Sequence, residues 1–154
     1  MRQVMLLGVA VFALIGVAVA QTPARTPAQL IRNRQAGYKQ IGAAFRGVQE
    51  QVRASEPSLP TLRQHAATLA RLAPQVSGWF PAGTGSEAGV RTRALPAIWT
   101  NGPAFRTASV NLVVAARQLD TAARGTDVAS IRAAAQALGR TCGGCHDQFR
   151  GPEN

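Results

Sequence analysis

A five-residue motif near the C-terminus constrains this 154-residue chain most, because it reads Cys-Gly-Gly-Cys-His and ends a long helical pattern. On a helix, Cys142 and Cys145 are three residues apart, so both thiols point along one face. Cys-x-x-Cys-His is the attachment sequence of c-type haem, whose vinyl groups bond to the two thiols. The adjacent His146 would ligate the iron. The motif predicts one haem c, attached through Cys142 and Cys145, with His146 as the metal ligand.

A Cys-x-x-Cys pair also occurs in thioredoxin-like dithiols, structural disulfides and zinc sites. A redox dithiol usually opens a helix after a strand, whereas this motif closes a helical pattern. A structural zinc ion takes four ligands, and His65 is the only further histidine or cysteine in the chain. Haem attachment is the interpretation that the adjacent His146 favours.

The N-terminus carries a secretory signal pattern, in which a basic residue precedes an apolar run and a small-x-small cleavage sequence. Arg2 is followed by the apolar run 4–19 and by Ala-Val-Ala at 18–20. The alternative is a membrane anchor, but the run is slightly short for a span and polar residues follow it at once. No cysteine lies directly after the run, which excludes a lipoprotein anchor. We expect a cleaved signal peptide over 1–20, a mature domain over 21–154 without a stable membrane anchor, and a periplasmic location.

Both methionines of the chain, Met1 and Met5, lie in this leader. The mature protein would therefore lack the His/Met ligation that raises the reduction potential of many electron-carrier cytochromes. The sixth position of the iron is then empty, or is filled by His65, Lys39, Tyr38 or solvent.

The chain is strongly basic. It has 17 Lys and Arg against 7 Asp and Glu, so loss of Arg2 leaves 16 basic residues and a formal charge of 16 − 7 = +9. Such a surface could attract an anionic redox partner or touch anionic lipid. Export makes nucleic acid a poor partner, and the dispersed positions of the charges indicate solubility first.

The mature residues read almost entirely as helix. The apolar spacings of 3 and 4 predict four helices. The first begins at Thr26-Pro27 and ends before Glu56-Pro57, and the second runs from about Pro60 to Ala73. The third runs from about Pro103 to Arg124, and the fourth follows Asp127 and continues through Phe149. The long Gly/Pro-rich stretch 74–103 predicts a packed crossover. Both cysteines fall on the seam of the last helix, so we predict an all-α, antiparallel four-helix bundle enclosing a covalently bound haem.

These features together resemble one family. The segment from Cys142 through Phe149-Arg150 is similar to the family's terminal Cys-x-x-Cys-His-x-x-(Tyr/Phe)-Arg motif. Arg34-Gln35 is similar to its Arg-Gln pair in the first helix. Trp79-Phe80 and Pro96-Ala97-Ile98-Trp99 are similar to its loop between the second and third helices. The resemblance is to cytochrome c′, a class II c-type cytochrome family, and it covers about residues 28–150.

The resemblance implies a five-coordinate haem, with His146 as the proximal ligand and apolar residues over the opposite face. It also implies binding of the small neutral gases nitric oxide and carbon monoxide, a role in nitric oxide sequestration, and often a homodimer through the first two helices. No nucleophile–base pair or paired carboxylates are found, so we expect no enzymatic activity. The competing hypothesis is an electron carrier that docks a periplasmic redox partner through its basic surface, with a bis-His variant that uses His65.

Three residues of the first helix are candidates for the haem site. The resemblance places Tyr38 at the open iron face, and the alternative is a core tyrosine with its hydroxyl at the edge of the bundle. Arg34 interrupts the apolar stripe and would bind haem propionates, with Gln35 as a second donor. The alternative for Arg34 is a side chain that extends to solvent.

Two candidates lie beyond the histidine of the motif. Phe149 is expected to pack against the proximal face. Arg150 lies four residues after His146, where its charge could tune the iron–histidine bond or compensate the helix dipole. Elsewhere, we expect His65 to be exposed and Lys39 to point about 100° away from Tyr38.

Overall fold

The protein is described by a computed structural model over residues 25–152. The helices are α1 (Pro27–Arg53), α2 (Leu59–Leu72), α3 (Ala97–Thr100), α4 (Gly102–Arg124) and α5 (Val128–Phe149), with 3₁₀ turns at Ala73–Trp79 and Ser86–Ala88. Within 25–152 the only β pairing is an isolated bridge between Ala94 and Arg150. The predicted signal peptide over 1–20 lies outside the described residues.

Local capping sets where the long helices begin. Thr26 and Gln29 form a reciprocal capping box at the start of α1, with Pro27 at the first helical position. The Asp127 carboxylate accepts hydrogen bonds from the backbone N–H groups of Ala129 and Ser130 at the start of α5. The helix boundaries predicted from these caps are therefore confirmed to within a few residues.

The four long helices form an antiparallel bundle with up-down-up-down order. Residues 54–58 join α1 to α2, and residues 125–127 join α4 to α5, so each pair is antiparallel. The start of α4 and the end of α5 meet at one end of the bundle, where Phe105 packs on Phe80 and Phe149. The first half of α1 joins them there, because Tyr38 also packs on Phe80. We call this the motif end, because Cys142 and Cys145 lie there.

Two clusters of buried residues fill the bundle. The main cluster runs along all four long helices, and a smaller one at the motif end contains Ile98, Phe105 and Phe149. At the start of α1, Ile31 is fully buried, whereas the neighbouring Leu30 is only half-buried.

The crossover between α2 and α4 is packed, as predicted. The Trp99 indole Nε1 donates to the carbonyl oxygen of Phe80 at 3.1 Å. The Leu95 N–H donates to the carbonyl of Phe149 at 3.0 Å, and the Gly151 N–H donates to the carbonyl of Arg93 at 2.7 Å. The crossover therefore covers the motif end and is hydrogen-bonded to the chain directly after the cysteine motif.

Candidate haem site

The two cysteines of the motif lie on the inner side of α5, half-buried and free. Cys142 contacts the main core, and Cys145 contacts the smaller aromatic cluster. Burial raises the pKa of each thiol, and the neighbouring Cys145 raises that of Cys142 further. The structure therefore presents two neutral thiols side by side at the motif end, as the helical spacing predicts.

A groove of about 560 Å³ runs beside these cysteines between α4 and α5. Cys145 and Gly144 line it from α5, and every lining residue is uncharged. A Cβ atom at Gly143 or Gly144 would meet nothing within 4 Å, so the backbone between the cysteines is open on that side. Two free thiols, an adjacent imidazole and an uncharged groove fit an apolar macrocycle attached by thioether bonds.

His146 keeps an exposed edge, and its Nδ1 lies 3.4 Å from Nη1 of Arg150. Partial burial of the ring lowers the pKa of His146, and the positive charges of Arg150 and Arg93 lower it further. The imidazole is therefore neutral at pH 7, the form that ligates a metal. Ligation through Nε2 would leave the ring hydrogen on Nδ1, so Arg150 could then no longer donate to that atom.

Tyr38 reaches the motif end from α1 and is half-buried among aromatic rings. Its ring lies edge-on to Trp79, with centroids 5.2 Å apart, and tilted to Phe80 at 6.2 Å. Burial raises the pKa of Tyr38 well above its usual range, Cys145 raises it further, and Arg34 opposes the shift. Tyr38 is therefore a neutral phenol in an apolar setting, and its role at the open iron face stays a prediction.

Arg34 is only 3% exposed, so the alternative of a side chain extended to solvent is wrong. Nη1 donates to Oγ1 of Thr84 at 3.1 Å, and Nη2 donates to the Thr84 carbonyl and to Oγ1 of Thr92, both at 2.8 Å. The guanidinium also lies over the ring of Phe80, 4.6 Å from its centroid. Burial lowers the pKa of Arg34, but an arginine keeps its charge at neutral pH.

These bonds give Arg34 a role that the sequence did not show. Its guanidinium holds the crossover against α1, and Gln35 adds a bond from Nε2 to the Arg91 carbonyl at 2.9 Å. The predicted binding of haem propionates by Arg34 and Gln35 stays a prediction. Any hydrogen bond to a haem propionate would be made by side-chain N–H groups of Arg34 and Gln35 that already donate to the crossover.

Phe149 and Arg150 end the last helix. Phe149 is 4% exposed and packs edge-to-face on Phe105, with centroids 5.3 Å apart. Arg150 follows the last helical residue, and its N–H donates to the carbonyl of His146 at 3.0 Å. A cation at this position compensates the helix dipole, as one interpretation of Arg150 predicts. Packing of Phe149 against the haem stays a prediction.

Neither of the other two candidate ligands lies beside Tyr38 on the inner side of the motif end. His65 is half-buried against Gly47 of α1, so the prediction of an exposed histidine is wrong. Gly47 is nine residues beyond Tyr38, about 13 Å along the helix. Lys39 is exposed, as expected. His65 is therefore poorly placed to act as a sixth ligand.

Gly37 and Trp79 form a contact that the sequence did not predict. An ideal Cβ atom at Gly37 would lie 2.5 Å from Cη2 of Trp79, so the indole lies directly on the backbone of α1. The sequence feature that could have predicted this contact is the spacing of Arg34, Gly37 and Ile41, because it places a glycine on the inward side of the helix.

Replacement of Gly37 by Ala should displace Trp79, because the new methyl group overlaps the indole. We expect a loss of about 1–3 kcal/mol in the free energy of unfolding, as is typical of overpacking, and an altered Trp79 near-UV circular dichroism. Gly42→Ala is the control in the same helix, since its Cβ meets only the flexible end of Arg46 at 3.4 Å. That variant should gain about 0.5–1 kcal/mol. A similar gain for Gly37→Ala would contradict the close contact.

The Thr84→Val substitution tests the Arg34 bonds, because it removes a hydroxyl acceptor from a buried cation at nearly constant volume. We expect a loss of about 1–3 kcal/mol in chemical denaturation. Thr100→Val is the control, since the Thr100 hydroxyl is exposed and donates to the Pro96 carbonyl four residues earlier; its effect should stay within about 0.5 kcal/mol. An equal loss of unfolding free energy in both variants would show that the Thr84 hydroxyl adds no special stability through Arg34.

Comparison with known proteins agrees with this geometry. A profile of the cytochrome c′ family matches residues 29–150. The cytochrome c′ of Pararhodospirillum photometricum is 30% identical over 125 residues, which cover 81% of this chain and 98% of that protein.

Solved structures show the same fold. The crystal structure of cytochrome c′ from Rubrivivax gelatinosus has a TM-score of 0.76 at 29% identity and covers 82% of this chain and 98% of that one. A ferrous, nitric-oxide-bound cytochrome c′ variant from Alcaligenes xylosoxidans has a TM-score of 0.76 at 21% identity and covers 85% of this chain and 100% of that one. At that identity the second likeness shows the fold alone. The chain belongs to the cytochrome c′ family, whose cofactor is haem c.

Proposed function

We propose that this protein is a periplasmic gas-binding cytochrome, which takes up nitric oxide and carbon monoxide at a five-coordinate haem and sequesters nitric oxide. The observation that carries the proposal is the character of the motif end. Besides the buried Arg34, the side chains that α1 and the crossover bring there include Tyr38, Trp79 and Phe80, and none of these four is a strong iron ligand. No methionine follows Met5, and His65 lies on another part of the bundle.

The residues around the site select for small neutral ligands. Bound haem supplies an iron with one open coordination position. Rings packed edge-to-face leave little room for a large ligand, and their apolar surfaces disfavour anions. Burial keeps the Tyr38 hydroxyl neutral, so this side chain adds an uncharged polar group beside the rings. A vacant position behind apolar packing suits a diatomic gas.

Relatives support the choice of ligand. Cytochrome c′ from Alcaligenes xylosoxidans has been solved with nitric oxide bound and, as another variant, with carbon monoxide bound. We extend gas binding to this chain because it shares their fold and carries the haem motif at the same end of the bundle as its ring cluster. The periplasmic location depends on the leader over 1–20. None of the helices within 25–152 has the length and apolar character needed to cross a bilayer.

The proposal includes no enzymatic turnover. The described residues 25–152 contain no group of three or more His, Cys, Asp or Glu side chains that could hold a further metal ion. The competing function is electron transfer to a periplasmic partner. A carrier works best with a fixed, low-spin iron, whereas a gas binder needs an open position, so the spin state separates the two hypotheses.

Absorption and EPR spectra of the mature holoprotein, before and after addition of carbon monoxide and nitric oxide, test the proposal. We expect a high-spin ferric iron and a ferrous iron that binds both gases. Tyr38→Leu should speed carbon monoxide association by about tenfold, equivalent to ~1.4 kcal/mol in the barrier, because it removes a ring that screens the site. Tyr38→Phe is the control that keeps the ring and removes only the hydroxyl. A low-spin iron inert to both gases would favour the electron carrier.

A homodimer through the first two helices is the assembly that the resemblance implies, and a related cytochrome c′ structure is described as having ligand-controlled dimer dissociation. On this chain the outer face of α1 carries four exposed cations, which we call the α1 basic row: Arg32, Lys39, Arg46 and Arg53. Two such rows facing each other would repel. We propose that a dimer through this face exists but is weak at low ionic strength.

Sedimentation velocity at about 20 mM and about 500 mM salt tests this dependence, because screening shortens the Debye length between these conditions. The dimer fraction should rise with salt. A dimer that dissociates as salt rises would show that attractive ion pairs, and not the α1 basic row, dominate the interface.

A further inference from the structure

The α1 basic row is a regular feature of the fold. Its four members follow one another at intervals of seven residues along a single unbroken helix. Seven residues are close to two helical turns, so each member lies about 10 Å beyond the last and is rotated by only about 20°. The row therefore forms a line of positive charge about 31 Å long on the outside of the bundle.

These charges are not neutralised by the protein. Within residues 25–152, none of the four side chains takes part in an ion pair or a side-chain hydrogen bond. Glu50 is the one acidic residue in α1, and it forms no ion pair with Arg46 or Arg53. The contrast is Arg124, which binds Asp120 at 2.7 Å four residues away.

The same face lacks the apolar anchors of a tight protein–protein interface, which agrees with a dimer that is weak at low ionic strength. Such interfaces are usually centred on buried aromatic or large apolar side chains. The large apolar side chains exposed within 25–152 are Val110 and Val114, and both belong to α4. Beside the row, the exposed residues of α1 are polar apart from Pro27 and the small Ala36 and Ala43. The face can therefore bind by charge but not by apolar insertion.

The shape of the row also argues against a redox partner. A protein that exchanges electrons must dock close to the haem, which is attached at the motif end. The row begins near that end, at Arg32, but continues to Arg53 at the opposite end of α1. The row spans a whole helix and winds by only about 60° in total, so it matches a flat, extended surface of opposite charge.

We propose that the α1 basic row docks this protein on an anionic phospholipid surface, with α1 parallel to the bilayer and without insertion. The partner is a membrane rich in anionic headgroups such as phosphatidylglycerol. The inference goes beyond gas binding and does not depend on it, because no member of the row touches the haem motif. A basic side chain close to such a surface strengthens binding about fivefold, so four members contribute several hundredfold at low salt.

Co-sedimentation of the mature holoprotein with vesicles tests the docking. The vesicles contain either phosphatidylcholine alone or phosphatidylcholine with an equal part of phosphatidylglycerol. We expect binding only to the anionic vesicles at about 20 mM salt, and much weaker binding at about 150 mM salt, because the Debye length shortens to about 8 Å. Failure to bind anionic vesicles at low salt would overturn the proposal, whatever the haem spectra show.

Two matched variants separate the row from net charge. The first carries Arg32→Gln, Lys39→Gln, Arg46→Gln and Arg53→Gln. The second removes four charges from exposed arginines on the other helices: Arg71→Gln, Arg106→Gln, Arg117→Gln and Arg140→Gln. Both lose the same charge, and an unchanged haem spectrum and far-UV circular dichroism would confirm that both fold.

The row variant should bind anionic vesicles at least a hundredfold more weakly than the unmodified protein, and the control variant no more than about tenfold more weakly. Equal losses would show that overall charge drives the binding and would overturn the role of the row. Soluble polyglutamate, an acidic polypeptide, is used in a second binding experiment that distinguishes an acidic protein partner from a lipid surface. Binding to polyglutamate that depends on the row, without binding to vesicles, would assign the row to an acidic protein partner instead.

Discussion

A buried positive charge organises the motif end of this protein. The Arg34 guanidinium lies on the inward stripe of α1, where loss of hydration would cost several kcal/mol if the charge had no partners. Its partners come from the crossover, as the oxygen atoms of Thr84 and Thr92 and the ring of Phe80. The crossover must therefore fold against α1, and it brings its aromatic rings to the cysteine motif.

The rings continue this arrangement across the bundle. Phe80 packs on Phe105 of α4 at 5.1 Å, and Phe105 packs on Phe149 at the end of α5. On the α1 side, the absence of a side chain at Gly37 lets Trp79 lie on the helix backbone beside Tyr38. One charged contact and one glycine thus place a wall of aromatic rings beside the cysteine motif, and in the proposed function that wall would favour neutral diatomic ligands over anions.

The sequence predicts the local parts of this structure well and the distant contacts poorly. The cysteine motif, the caps at Thr26 and Asp127 and the apolar spacing of α5 act within a few residues, so their outcome can be read from the chain. The partners of Arg34 lie 50 and 58 residues away and depend on how a Gly/Pro-rich segment folds. His65 is covered only because Gly47 leaves space for its ring, a fact of helix packing that no local pattern contains.

The inner and outer faces of α1 both carry cations, but the two faces differ in whether the fold supplies partners for them. The inner face holds one cation that is satisfied within the fold, and the outer face holds four that are left to solvent and to external anions. A neutral gas is indifferent to the outer charges, so binding at an anionic surface would not alter selectivity at the haem. Small neutral gases cross the apolar interior of a bilayer freely. A cytochrome held flat on the membrane surface would therefore meet nitric oxide where it emerges from the lipid.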